Sequence, residues 1–93
     1  MNEFQLLQLL KLKLGISTKL RDKPLEKIIS SVITELTDNL GVELVGDRAD
    51  HEMFIVDYAA YRYEGGVDIP RHLQWRLHNL QLSSKKEVKN VEQ

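Results

Sequence analysis

Three histidines, His51, His72 and His78, are the side chains best suited to metal or proton chemistry in this sequence. On a helix the six-residue step from His72 to His78 turns the chain by about 600°, so the two rings point to different faces. They do not clamp one ion as histidines four residues apart do. A zinc site would have to bring His51 together with a carboxylate such as Glu52, and the simpler reading is three surface or hydrogen-bonded histidines. The serines Ser17, Ser30, Ser31, Ser83 and Ser84 lie in no Gly-x-Ser-x-Gly elbow. Gly65-Gly66 lacks the lysine of a phosphate loop and reads as a helix terminator. Asp47 and Asp50 stand where a helix begins, and capping by one of them accounts for the pair without catalysis. The absence of cysteine excludes disulfides and thiolate-ligated metal centres. No catalytic residue, metal or cofactor is expected, and the chain reads as a non-enzyme.

Charge carries more information than these groups do. The 93 residues have a net charge of −1, too little to attract a polyanion globally. The distribution is uneven. From Asp47 to Ile69 two arginines stand against six carboxylates, and from Pro70 to Gln93 five basic residues stand against two acidic ones. Adjacent segments of opposite sign suit a head-to-tail contact between copies, although chance clustering on a solvated surface gives the same pattern. Within the basic segment Arg71, Gln74, Arg76, His78, Asn79 and Gln81 are all types that contact DNA. A small helical DNA-binding regulator is therefore the alternative reading, weakened because Arg71, Gln74 and His78 share a helix face that Arg76 does not.

These groups must be positioned by helices. Residues 3–14 carry leucines on most sides, with Gln5, Gln8 and Lys11 as a polar stripe, and Gly15 ends the helix. Ile16 and Leu20 are expected to anchor the connection that follows. From Asp22-Lys23-Pro24, the residues Leu25, Ile28, Ile29, Val32, Ile33, Leu36 and Leu40 keep a three-and-four spacing up to Gly41, which predicts one long helix. Residues 42–46 are expected to be extended. A third helix to about Glu64 is apolar nearly all round and should be central. Pro70 opens the last helix, whose core stripe is Leu73, Leu77 and Leu80. The expected fold is all-α, a bundle of about four helices over residues 1–82, followed by a disordered polar tail over 83–93. Neither a secretory leader nor a run approaching the roughly 18 apolar residues of a membrane span is present in the sequence, so no membrane partner is expected and the chain should stay where it is made.

At about 100° per residue, Trp75 and Leu82 fall opposite the leucine stripe, with Arg71 and Arg76 flanking the tryptophan. Trp and Arg are enriched at interface anchors. Either this face meets another protein or the first helix folds over it and buries Trp75. The expected interface residues are Arg71, Trp75, Arg76, Leu82, Lys85 and Lys86 on the basic side and Asp57 and Glu64 on the acidic side.

Four pieces of the chain carry a resemblance: Leu10-Lys11-Leu12-Lys13-Leu14-Gly15-Ile16, the run from Leu25 to Leu40, Asp57-Tyr58-Ala59-Ala60-Tyr61-Arg62-Tyr63, and the stretch from Pro70 to Leu80. Together they resemble the small helical head–tail connector, or head-completion adaptor, proteins of tailed bacteriophages and prophages. The last two pieces, joined by a glycine-containing loop, are the most specific. Ser17-Thr18-Lys19 stands where the family commonly has an acidic cluster, and Ser30-Ser31 where alanine is frequent. The resemblance implies a structural virion protein at the head–tail junction, present in the bacterial cytoplasm before assembly. It further implies a ring of about twelve subunits between the portal protein and a downstream tail-completion or stopper protein. Double-stranded DNA would pass through that ring without sequence-specific binding.

Overall fold

The computed structural model describes residues 2–46 and 48–92, with the side chains described as far as Ser84. Four α-helices account for most of it: α1 (Glu3–Leu14), α2 (Asp22–Thr34), α3 (Ala49–Tyr63) and α4 (Arg71–Glu92). Among the described residues there is no strand. The protein is an all-α bundle.

Local sequence explains most helix ends. The Asn2 side chain accepts the backbone N–H of Gln5 at the start of α1, and Gly15 closes the helix at φ 73°, a left-handed conformation that glycine adopts without steric cost. Pro24 sits in the first turn of α2, where its missing N–H has no helical acceptor to lose. At α3, Asp50 lies inside the first turn instead of capping it, and the cap position is Arg48. Arg48 holds the Asp50 carboxylate through two nitrogens, at 3.1 and 2.8 Å; Asp47 is outside the described residues. Pro70 immediately precedes α4, and its carbonyl accepts from Leu73 and Gln74.

The long second helix differs from expectation. It is α-helical only to Thr34 and continues as a π-helical turn, Glu35–Asn39, with the Leu40 N–H on the Glu35 carbonyl. The Thr37 hydroxyl donates to the Ile33 carbonyl at 3.0 Å, a side-chain bond to the backbone one turn earlier, of the kind that often bends a helix. Through this wider turn Leu36 stays buried, while Glu35 faces α3. Periodicity alone does not reveal such a change, because the apolar spacing continues across it.

α3 is the central helix. His51, Phe54, Ile55, Val56, Tyr58, Ala59 and Ala60 are buried in it, and α1, α2 and α4 all pack against it. Leu6, Leu7 and Leu10 come from α1, Leu25, Ile29 and Val32 from α2, and Leu73, Leu77 and Leu80 from α4. Each such side chain is worth about 1.5–3 kcal/mol when fully removed from water. Val42 completes the core from the connection after the π turn.

Two expectations of the first third of the chain are corrected. Lys11, assigned to a polar stripe, is only 8% exposed and pairs with Asp22 at 2.8 Å. The short connection folds α2 back along α1 and brings a carboxylate to that face, so Lys11 buries its stem and keeps a partner for its charge. Leu20, expected as an anchor, is 89% exposed. Ile16 does pack against the core, and one anchor suffices for so short a connection.

Ser84, counted with the tail by composition, is hydrogen-bonded to the helical bundle. The Ser84 hydroxyl donates to the Leu80 carbonyl and accepts the Glu43 N–H at 2.9 Å. A hydroxyl can be held by backbone polar groups without apolar area to bury, which a composition argument overlooks. The backbone of α4 is helical to Glu92; the side chains of 85–93, on which the expectation of a disordered tail mainly rests, lie outside the described residues.

Candidate functional site: the outer face of the last helix

α4 turns its leucines onto α3 and leaves Arg71, Trp75, His78 and Leu82 on the opposite side. Trp75 is 70% exposed and Leu82 49% exposed. The first helix does not cover the tryptophan, so it is not buried within the monomer. The Trp75 and His78 rings lie near each other, 6.3 Å between centroids and tilted by 31°. A large aromatic ring in water is an unused burial surface.

Two of the expected interface residues are engaged inside the molecule. Arg76 Nη1 donates to Asp57 Oδ2 at 2.6 Å, its guanidinium lies 5.6 Å from the centroid of the Phe54 ring, and Lys13 of α1 reaches the other Asp57 oxygen at 3.1 Å. Asp57 therefore ties α1, α3 and α4 together. One pair of the opposite-sign pattern, Asp57 with Arg76, serves a helix–helix contact, because the turn after Tyr63 folds the basic helix against the acidic one. Arg71 and Glu64 are exposed as expected, and neither has an ion-pair partner among the described residues. Lys85 and Lys86 have no described side chains.

Burial alone pushes the Asp57 carboxyl up, but the hydrogen bonds and charges of Arg76 and Lys13 outweigh it, and the group ends below the ordinary value of 3.8. A carboxyl depressed by folding stabilises the protein above its unfolded pKa, and that contribution is lost as pH falls through the lower folded value. Asp57→Asn is accordingly expected to cost about 1.5–3 kcal/mol at neutral pH. As pH falls through the lowered folded value, that difference from wild type should shrink. Urea unfolding midpoints of both chains across pH 7 to 2.5 check this, and a difference that persists undiminished in acid refutes the assignment.

A second polar cluster was not legible in the sequence. The Tyr58 hydroxyl donates to Glu35 Oε2 at 3.0 Å and Arg62 donates to Glu35 Oε1 at 2.9 Å, with the Arg62 guanidinium over the Tyr58 ring at 5.6 Å. Burial, followed by the hydrogen bond to the Glu35 carboxylate and its charge, pushes the Tyr58 phenol above its ordinary value. Its donors and acceptors answer one another, and the cluster reads as the polar lock between the π turn and α3.

His51 is buried, and its Nδ1 accepts the Val45 N–H at 2.9 Å. It thereby fixes the connection into α3. Among the described residues no group of three His, Asp or Glu side chains is placed to hold a metal ion, and no helix is long and apolar enough to cross a membrane. Of the six DNA-contacting types in the basic segment, Gln74 donates to the Ile69 carbonyl, Gln81 to the Leu40 carbonyl and Arg76 to Asp57. Those three serve the fold. Among comparisons with known proteins, no family model, no curated protein and no solved structure matches the chain.

Proposed function

We propose that this chain is a structural subunit of a phage or prophage head–tail connector, docking through the outer face of α4 onto other virion proteins. The observation that carries the proposal is the exposed Trp75, with Leu82 and Arg71 on the same side of a helix whose other side is fully used by the core. Trp and Arg in such a setting are the side chains that most often dominate a protein interface. The family resemblance supplies the assembly: a ring between portal and tail-completion protein, open to the passage of DNA. Commitment of Gln74, Arg76 and Gln81 to bonds within the chain favours this over a sequence-reading regulator, which needs several free polar side chains on one face.

Trp75→Ala is expected to leave the unfolding midpoint within about 0.5 kcal/mol of wild type, since the ring is mostly in water. The same variant should lose binding to portal assemblies, measured by co-sedimentation. Retained binding would remove Trp75 from the interface. A duplex titration at moderate salt tests the alternative: sequence-specific affinity of about 10⁻⁸ M with a steep salt slope would overturn the connector reading.

A further inference from the structure

We infer that the outer face of α1 is a self-association surface: two copies of this chain pair antiparallel along it, Phe4 of each against Leu12 of the other, with the two Gln8 side chains meeting on the two-fold axis. The inference goes beyond the connector reading and uses none of the α4 residues on which that reading rests. Leucines cover most sides of α1, and a helix apolar nearly all round is ordinarily buried on all sides. Among the described helices this one packs on α2 and α3 alone. Phe4 is left 69% exposed and Leu12 78% exposed, and Gln5 and Gln8 between them are exposed as well. Phe4, Gln8 and Leu12 follow one another in steps of four residues, about 40° of rotation each, so they form one row along the side away from Leu6 and Leu10. Nothing among the described residues covers that row.

Charge and symmetry select the second copy. No charged residue lies in the row, and the charges of α1 are engaged elsewhere. Glu3 accepts the Ser30 hydroxyl, Lys11 pairs with Asp22 and Lys13 with Asp57. Beside α1, Lys23, Glu26 and Lys27 of α2 border a groove together with Glu3 and Ser30, two cations against two carboxylates, so the flank carries no net charge either. Such a face meets an identical face without like-charge repulsion. It gives a strongly charged partner nothing to pair with. An isologous contact also requires a self-complementary pattern. The row has one, because Gln8 lies midway between Phe4 and Leu12, and a two-fold axis through Gln8 sets each apolar side chain on the other. A glutamine amide both donates and accepts, and neither the Gln5 nor the Gln8 side chain has a hydrogen-bond partner among the described residues. Two Gln8 amides facing across the axis answer one another. The 12 residues of α1 make only about 18 Å of helix, so the pair is of the small, transient kind and forms at high concentration.

The absence of cysteine makes the test direct. Phe4→Cys and Leu12→Cys chains, one carrying a mass tag, are mixed in equal amounts at high concentration and joined with a short bismaleimide, and the products are separated by mass. The mixed 4–12 product is expected roughly tenfold above the random ratio, the preference that about 1.4 kcal/mol confers. Enrichment of the 4–4 and 12–12 products instead would mean a parallel pair, and a random ratio would mean no pair; either result overturns the inference. A Gln8→Cys chain should cross-link with itself, and adding Leu12→Glu should abolish that product while the circular dichroism stays at wild type, because the Leu12 side chain is mostly in water. Cross-linking at position 8 that is indifferent to Leu12→Glu refutes the pairing. Adding Trp75→Ala to the Gln8→Cys chain should leave the product unchanged. Its loss would place the contact on α4 and end the inference. Because the connector reading is tested by binding of Trp75→Ala to portal assemblies, either idea can fail while the other stands.

Discussion

Phe54→Ala is expected to lower the stability of the folded chain by about 3–5 kcal/mol, the largest loss of any single truncation in the core. The ring is 1% exposed on the central helix, its centroid lies 6.1 Å from that of Tyr58, and the Arg76 guanidinium rests on its face. Removing it leaves a cavity among three helices and withdraws the surface on which Arg76 is placed to reach Asp57. Domains of this size are stable by only about 5–15 kcal/mol, so the variant should lose a large share of its margin. In thermal unfolding the midpoint should fall by roughly 15–30 °C. Circular dichroism at 222 nm follows the helices directly, and a fall of only a few degrees would show that α1 and α4 close over the gap.

The second large effect concerns Lys11 and Asp22. Asp22→Ala is expected to cost about 3 kcal/mol, because it strands an ammonium group that the fold has withdrawn from water. Lys11→Met should cost less, since the Asp22 carboxylate is the more exposed partner, 23% against 10% for the two side chains. In the double variant Lys11→Met with Asp22→Leu, neither charge remains to be compensated, and much of the loss should be recovered. Urea denaturation of the four chains forms a double-mutant cycle. Additive losses would mean that the two groups do not depend on each other.

Both effects bear on how much of the protein was legible in its sequence. Phe54 was legible as core, because α3 is apolar nearly all round and such a helix has to be central. The leucines of α4 and the outward position of Trp75 and Leu82 followed from helix rotation alone. The ends of α1 and α3 followed from Gly15 and from Gly65-Gly66, whose first residue has φ 100°. At Gly66 a Cβ would fall 2.2 Å from the Tyr61 ring, a close approach that a local motif does not disclose.

The Lys11–Asp22 pair was not legible, because both residues are ordinary at their positions: a lysine on an apparent polar stripe and an acid in a helix's first turn. The same holds for Asp57, which local charge counting assigned to an outer surface and packing assigned to Lys13 and Arg76. Leu20 is the converse case. A leucine in a polar connection looks like an anchor, yet Ile16 already serves that purpose, and Leu20 is left in water. Glu35 became a partner of Tyr58 and Arg62 only because the helix widens at the π turn and presents it to α3.

By itself the sequence determined the helical class, the order of the helices, the core-facing side of α2 and α4 and the exposed side of the last one. These depend on periodicity and on residues within a turn or two, where backbone geometry alone sets which side chains share a face. Tertiary structure alone decided which charges neutralise one another and which remain free for a partner. Helix rotation states the direction in which a side chain leaves its own axis, whereas ion pairing depends on what another helix, tens of residues away, places opposite it. Arg76 and Arg71 are five positions apart on one helix; packing gave the first to Asp57 and left the second in water beside Trp75.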